Sequence, residues 1–61
     1  MAPRTFLLGY KPREADDFRP WELQIFDEGE YIEHRRFMTD EKDRAEMFAM
    51  AWVCCGDALF R

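Results

Sequence analysis

The chain has few residues of the kinds that carry out catalysis. It contains one histidine, His34, and three scattered glycines, so it has no glycine-rich loop that could cradle a phosphate. Its acidic clusters at 16–17, 27–30 and 40–43 are explained by turn chemistry and helix capping, and they lack the ligand spacing of a calcium loop. We therefore predict that the protein is not an enzyme, with no catalytic residue and no bound cofactor.

The two cysteines, Cys54 and Cys55, are neighbours in the sequence. A disulfide between adjacent residues closes a strained ring that a helical backbone cannot hold. We therefore expect two reduced thiols that pack as small hydrophobic side chains. A zinc site needs about four ligands, and His34 with these thiols supplies too few without carboxylates. The sequence predicts no metal site.

Long hydrophobic runs are also missing. The apolar run Phe6–Leu8 is too short for a signal-peptide core, and Pro12 and charged residues follow it. The stretch from Met47 to Phe60 is interrupted by Gly56 and an aspartate, and it falls short of the roughly 20 residues that a membrane span requires. We expect a cytoplasmic protein with no membrane partner.

Basic residues are outnumbered, with nine against thirteen acidic ones and a net charge of −4. A negative field repels phosphate backbones at long range, which makes nucleic acid an unlikely partner. The charge either serves solubility alone or helps the protein dock on a basic protein surface. Because 48% of the residues are hydrophobic, the chain is expected to fold rather than remain disordered.

Periodicity and turn residues predict an α+β fold for residues 1–61, as one small domain. The apolar run at 4–10 indicates a short N-terminal strand, and the proline-bounded segment 11–20 a loop. Residues 21–38 form a β-hairpin that turns at Glu28-Gly29. Thr39 is the expected N-cap of one C-terminal amphipathic helix over 40–55, followed by a tail at 56–61. The helix is expected to pack on a three-stranded antiparallel sheet.

A two-residue turn at Glu28-Gly29 fixes the expected hairpin register, with Phe26 opposite Tyr31 and Trp21 opposite Arg36. The face expected to meet the helix then comprises Trp21, Leu23, Ile25, Ile32, His34 and Met38, so that a contact of the histidine with the thiols is conceivable. The opposite face comprises Glu22, Gln24, Phe26, Tyr31, Glu33, Arg35 and Phe37.

This second face carries an aromatic patch with a cation, formed by Phe26, Tyr31, Arg35 and Phe37. Such a patch either binds a partner or is buried by the 11–20 loop. Aromatic rings beside an arginine can also stack on the bases of single-stranded nucleic acid. Glu22 and Glu33 on the same face oppose that use.

The order of hairpin, Phe37-Met-Thr39 corner and helix with Ala45-Glu-Met-Phe-Ala49 resembles the small arm-binding domains of tyrosine recombinases. The comparison covers Trp21–Trp52. What the resemblance implies is an architecture of sheet and helix. It is not extended to function, because those domains are usually basic and this chain is acidic.

The helix carries a second apolar line beside its core-facing stripe, formed by Met47, Met50, Ala51 and Cys54. We predict that Met47, Met50 and Cys54 bind a partner, since methionine-rich faces are adaptable binding surfaces. The competing expectation is that Phe6–Leu8 folds back over this line.

We thus expect a protein-interaction module, an inhibitor or adaptor of the type that viruses and mobile elements encode. It would dock on a larger protein or form a homodimer. The alternative is a single-stranded nucleic-acid-binding module that uses the aromatic sheet face.

Overall fold

The computed structural model describes residues 3–56, which form a three-stranded antiparallel sheet and one helix. The elements follow the chain as β1 (Arg4–Tyr10), β2 (Trp21–Asp27), β3 (Glu30–Phe37) and α1 (Lys42–Cys55). The strands lie in the order β1-β2-β3, so β2 is central. This architecture confirms the predicted α+β fold. Of the tail predicted at 56–61, all but the first residue lies outside the described residues.

The core lies between one face of the sheet and α1. Its fully or almost fully buried residues are Leu23, Ile25, Phe37, Ala45, Ala49 and Trp52. The two alanines carry so little side chain that the helix backbone can lie close to the sheet. Trp52 supplies most of the volume on the helix side, and its indole N–H donates to the carbonyl oxygens of Thr5 and Phe26, both at 3.1 Å. Because those two residues are register partners, one side chain attaches α1 to both β1 and β2.

The hairpin turns at Glu28-Gly29, as predicted. Glu28 has a φ of 55° and Gly29 a φ of 81°, so both central residues occupy the left-handed region. Positive φ at both positions is the signature of a type I′ turn, whose twist matches that of the flanking strands. Glutamate has a Cβ that crowds the backbone in this conformation, which costs on the order of 1 kcal/mol.

Substitutions in this turn should change stability through the backbone alone. No atom lies within 4 Å of a Cβ built on Gly29, so Gly29→Val meets strain but no clash. We expect Gly29→Val to lower the free energy of unfolding by more than about 1 kcal/mol, and Glu28→Asn to raise it by about 0.5 kcal/mol. Urea denaturation measures both. Equal midpoints for wild type and Gly29→Val would show that the turn does not hold this geometry in solution.

The register of the hairpin departs from the prediction just beyond the turn. Phe26 pairs with Tyr31 as expected, but Ile25 pairs with Glu33 where the straight register would give Ile32. The register shift between Ile25 and Phe26 is a β-bulge, in which β3 carries one residue more than its partner. Because side chains alternate along a strand, every residue of β3 after the bulge moves to the opposite face.

The bulge overturns four predicted placements. Glu33, Arg35 and Phe37, expected on the open face, pair with Ile25, Leu23 and Trp21 on the face that α1 covers. His34, expected under the helix, pairs with Gln24 on the open face.

The physical reason for the shifted register is visible in the core. Phe37 is only 2% exposed and packs edge-to-face on Phe48 with ring centroids 5.3 Å apart, whereas Ile32 remains 38% exposed. The bulge therefore buries the larger aromatic side chain in place of Ile32.

The helix begins two residues later than predicted. The N-cap is Glu41 and not the predicted Thr39, and no side chain caps the first turn. Glu41 instead accepts a hydrogen bond from the Met38 amide at 2.9 Å, which ties the end of β3 to the start of α1. At the other end, Gly56 adopts a φ of 73° and its amide donates to the Trp52 carbonyl, ending the helix as a left-handed cap.

The loop between β1 and β2 is held by Arg36, a residue of the open sheet face. Its guanidinium donates to the carbonyls of Lys11 and Arg19 and to the Asp17 carboxylate. The hydrogen bond from the Arg13 guanidinium, with those from the Arg13 and Arg19 amides, holds the pKa of Asp17 well below its usual range. The Asp17 carboxylate thus holds the loop around the Arg36 guanidinium.

Candidate functional site

The most exposed apolar surface of the helix faces away from the sheet. Met47 is 69% and Met50 61% exposed, and Val53 and Cys54 are also exposed. We call these four residues the helix strip. Met50 follows Met47 by three residues, and Val53 and Cys54 follow Met50 by three and four, so their side chains are neighbours along the helix. The opposite side of α1 carries the buried Ala45, Ala49 and Trp52.

The N-terminal segment does not cover the helix strip. Phe6, Leu7 and Leu8 belong to β1 and pair with β2 along its whole length. The expectation that they fold back over the second line of the helix is therefore wrong, because the backbone of this segment is used as an edge strand. The strip is left as a contiguous exposed apolar surface.

The N-terminal end of the helix strip is acidic. Asp43 and Glu46 lie four residues before Met47 and Met50, and therefore one turn away on the same side. Both are exposed, and within residues 3–56 neither forms an ion pair. The last turn of the helix has no basic residue. The surface thus combines apolar side chains with two exposed carboxylates at one end.

The open sheet face keeps only half of the predicted aromatic patch. Phe26 and Tyr31 remain there in an edge-to-face pair with centroids 6.0 Å apart, and Tyr31 is 48% exposed. Arg35 and Phe37 lie on the other side of the sheet, so the predicted cation is absent from the patch. The Tyr31 hydroxyl is instead hydrogen-bonded to Nδ1 of His34 at 2.6 Å. The 11–20 loop leaves Tyr31 exposed.

The position of His34 also separates it from the thiols. Cys54 and Cys55 are exposed at the end of α1, so they do not pack into the core as small hydrophobic side chains. The histidine lies on the sheet face that α1 does not cover. Among residues 3–56, no group of His, Cys, Asp and Glu side chains is placed to hold a metal ion.

A cationic pocket of about 370 Å³ was not foreseen from the sequence. It is lined by Arg19, Arg35, Arg36, Phe37, Met38, Glu41 and Arg44. Its arginines come from the loop, from β3 and from α1, which are far apart in sequence. Their convergence depends on the β-bulge, because the straight register would place Arg35 on the other side of the sheet.

The described part of the chain has no helix that is both long and apolar enough to span a membrane. Comparison with protein-family models, curated proteins and solved structures finds no match, so the functional argument rests on the geometry of this chain.

Proposed function

We propose that the protein is an interaction module that binds a partner protein through the helix strip. The partner is one that presents apolar side chains flanked by Lys or Arg, such as a basic amphipathic helix. Docking of this kind makes the module an inhibitor where it covers an active site or binding site of the partner, and an adaptor where it does not.

The observation that carries the proposal is the exposure of Met47 and Met50 beside an acidic end. Full burial of a methionine side chain stabilises a complex by roughly 1.5 to 3 kcal/mol. Methionine is flexible, so it can adapt to the shape of the surface it meets. The strip supplies the apolar core of an interface, and the carboxylates of Asp43 and Glu46 supply a charged rim.

The charge distribution favours a foreign partner over a second copy of the chain. In an antiparallel pair of helices, Asp43 and Glu46 of one copy would face the C-terminal carbonyls of the other, which carry partial negative charge. In a parallel pair, acidic residues would face acidic residues. Lys or Arg of a foreign partner at this position instead forms complementary pairs, which direct association and set orientation.

Binding of a designed amphipathic helix of leucine and lysine tests the proposal, with an otherwise identical helix of leucine and glutamate as control. We expect Met50→Glu to raise the Kd of the basic helix by at least about tenfold, because the new carboxylate becomes buried in the interface. Met50→Leu preserves the apolar side chain and should change the Kd by less than about threefold. Isothermal titration calorimetry gives each value, and circular dichroism verifies the fold.

This design separates specific docking from charge attraction. Met50→Glu makes the protein more acidic, so attraction by net charge alone would strengthen binding of the basic helix. Tighter or unchanged binding by Met50→Glu would therefore contradict the proposal. A native mass of two chains for wild type and of one chain for Met50→Glu would assign the strip to self-association. Binding of a single-stranded oligonucleotide that requires Phe26 and Tyr31 would support the nucleic-acid alternative.

A further inference from the structure

The cationic pocket concentrates positive charge in an acidic chain. Four of its seven lining residues are arginines, and Glu41 is the one carboxylate among them. The pocket lies where the end of β3, the start of α1 and the end of the 11–20 loop meet. Arg36 is engaged with Asp17 and two loop carbonyls, which leaves Arg19, Arg35 and Arg44 to face a ligand.

Aromatic rings hold these guanidinium groups in place. The Arg35 guanidinium lies 5.5 Å from the ring centroid of Phe37 and 5.2 Å from that of Phe48. Arg44 contacts the same Phe48 ring at 5.7 Å. Cation–π contacts occupy the face of a guanidinium and leave its N–H groups at the edge free to donate. Two cations are thus positioned around one ring without being neutralised by it.

Carboxylates compensate little of this charge. Within residues 3–56, Arg35 and Arg19 form no ion pair, and Arg44 has only Glu41, at 3.4 Å. Three guanidinium groups against one carboxylate leave a local excess of two positive charges. An arginine fork matches the geometry of phosphate oxygens and can donate two parallel hydrogen bonds.

We infer that this pocket binds a tetrahedral dianion of the phosphate-monoester class. A single carboxylate ligand would neutralise only part of the charge. A nucleic-acid backbone carries one charge per phosphodiester and meets the long-range repulsion of a chain with net charge −4. The volume of about 370 Å³ accommodates a phosphoryl group with a small organic substituent. The phosphoryl group comes either from a free phosphate monoester or from a phosphorylated side chain.

Glu41 acts as a resident anion that competes with the ligand. It contacts Arg44 while its other oxygen accepts the Met38 amide hydrogen. Glu41→Gln removes the charge and keeps an acceptor for that amide, so the start of the helix is preserved. The variant should bind the dianion about two- to fivefold more tightly, since one partly exposed opposing charge is lost.

Titration of the wild-type protein with inorganic phosphate, followed by amide chemical shifts, tests the inference. Acetate is the matched monoanion. A phosphoserine peptide and its serine counterpart distinguish a phosphorylated side chain from a free phosphate monoester. We expect saturable shifts at Arg35, Met38 and Arg44 with phosphate or the phosphopeptide, and none with acetate or the serine peptide. Arg35→Gln and Arg44→Gln should each weaken binding about tenfold, the effect of losing a charge-assisted hydrogen bond.

Lys42→Gln removes a cation near the pocket that does not line it, and should leave the affinity within about twofold of wild type. Arg44 is exposed, so its variant remains informative if Arg35→Gln fails to fold. Absence of binding by both phosphate and phosphopeptide would overturn the inference. It would equally be overturned by acetate binding as tightly as phosphate, or by an affinity that does not change in the folded arginine variants.

Discussion

Trp52→Ala is expected to unfold most of the protein at room temperature. The substitution removes the largest buried side chain of α1 and both hydrogen bonds of its indole to β1 and β2. Truncation of a buried tryptophan costs about 3 to 5 kcal/mol, which equals the total stability of about 3 to 5 kcal/mol that a core of this size supplies. Circular dichroism should show loss of the folded signal without denaturant.

Trp52→Phe separates the hydrogen bonds from the packing. Phenylalanine keeps an aromatic ring in the core but cannot donate to the Thr5 and Phe26 carbonyls. We expect it to remain folded and to lose about 1 to 3 kcal/mol, the cost of leaving buried acceptors without their donor. A cooperative unfolding transition of Trp52→Ala with the same urea midpoint as wild type would contradict the arrangement of α1 on the sheet.

Phe37→Ala should destabilise the protein far more than Ile32→Ala. In the bulged register Phe37 is buried against Phe48, so its truncation is expected to cost about 3 to 5 kcal/mol. Ile32 is more than one-third exposed, so Ile32→Ala should lower the free energy of unfolding by about 1 kcal/mol, the typical value for a point substitution. Urea denaturation of the two variants compares them directly. The straight register predicts the opposite order, since it places Ile32 in the core and Phe37 on the open face.

The strand boundaries and the turn followed from local signals. Alternation between Trp21 and Asp27 is read from adjacent residues, and Glu28-Gly29 satisfies the backbone demands of a two-residue turn by itself. The hairpin register did not follow, because the straight and bulged pairings both give favourable cross-strand pairs near the turn. The choice depends on whether Phe37 packs on Phe48, a contact between residues that the sequence alone does not bring together.

The two candidate sites also differ in whether local sequence or long-range contacts determine them. The spacing of apolar residues was sufficient to predict that Met47 and Met50 lie beside the core-facing stripe of the helix. Their exposure was left open, because it also depends on the pairing of Phe6–Leu8 with β2. The cationic pocket requires Arg35 on the helix side of the sheet, and so requires the bulge. It also needs Arg19, whose place is set by the network of Asp17 and Arg36.

Methyl resonances of the methionines provide the most direct test that the helix strip is the protein-binding surface. Met47 and Met50 lie on the strip, whereas Met38 lines the cationic pocket and serves as an internal control. In protein with carbon-13-labelled methionine methyls, assigned by single Met→Leu variants, the basic leucine–lysine helix should shift Met47 and Met50 and leave Met38 unchanged. Inorganic phosphate should shift Met38 alone. Shifts confined to Met38, or no saturable shift of Met47 and Met50 with the basic helix, would contradict the assignment of the strip.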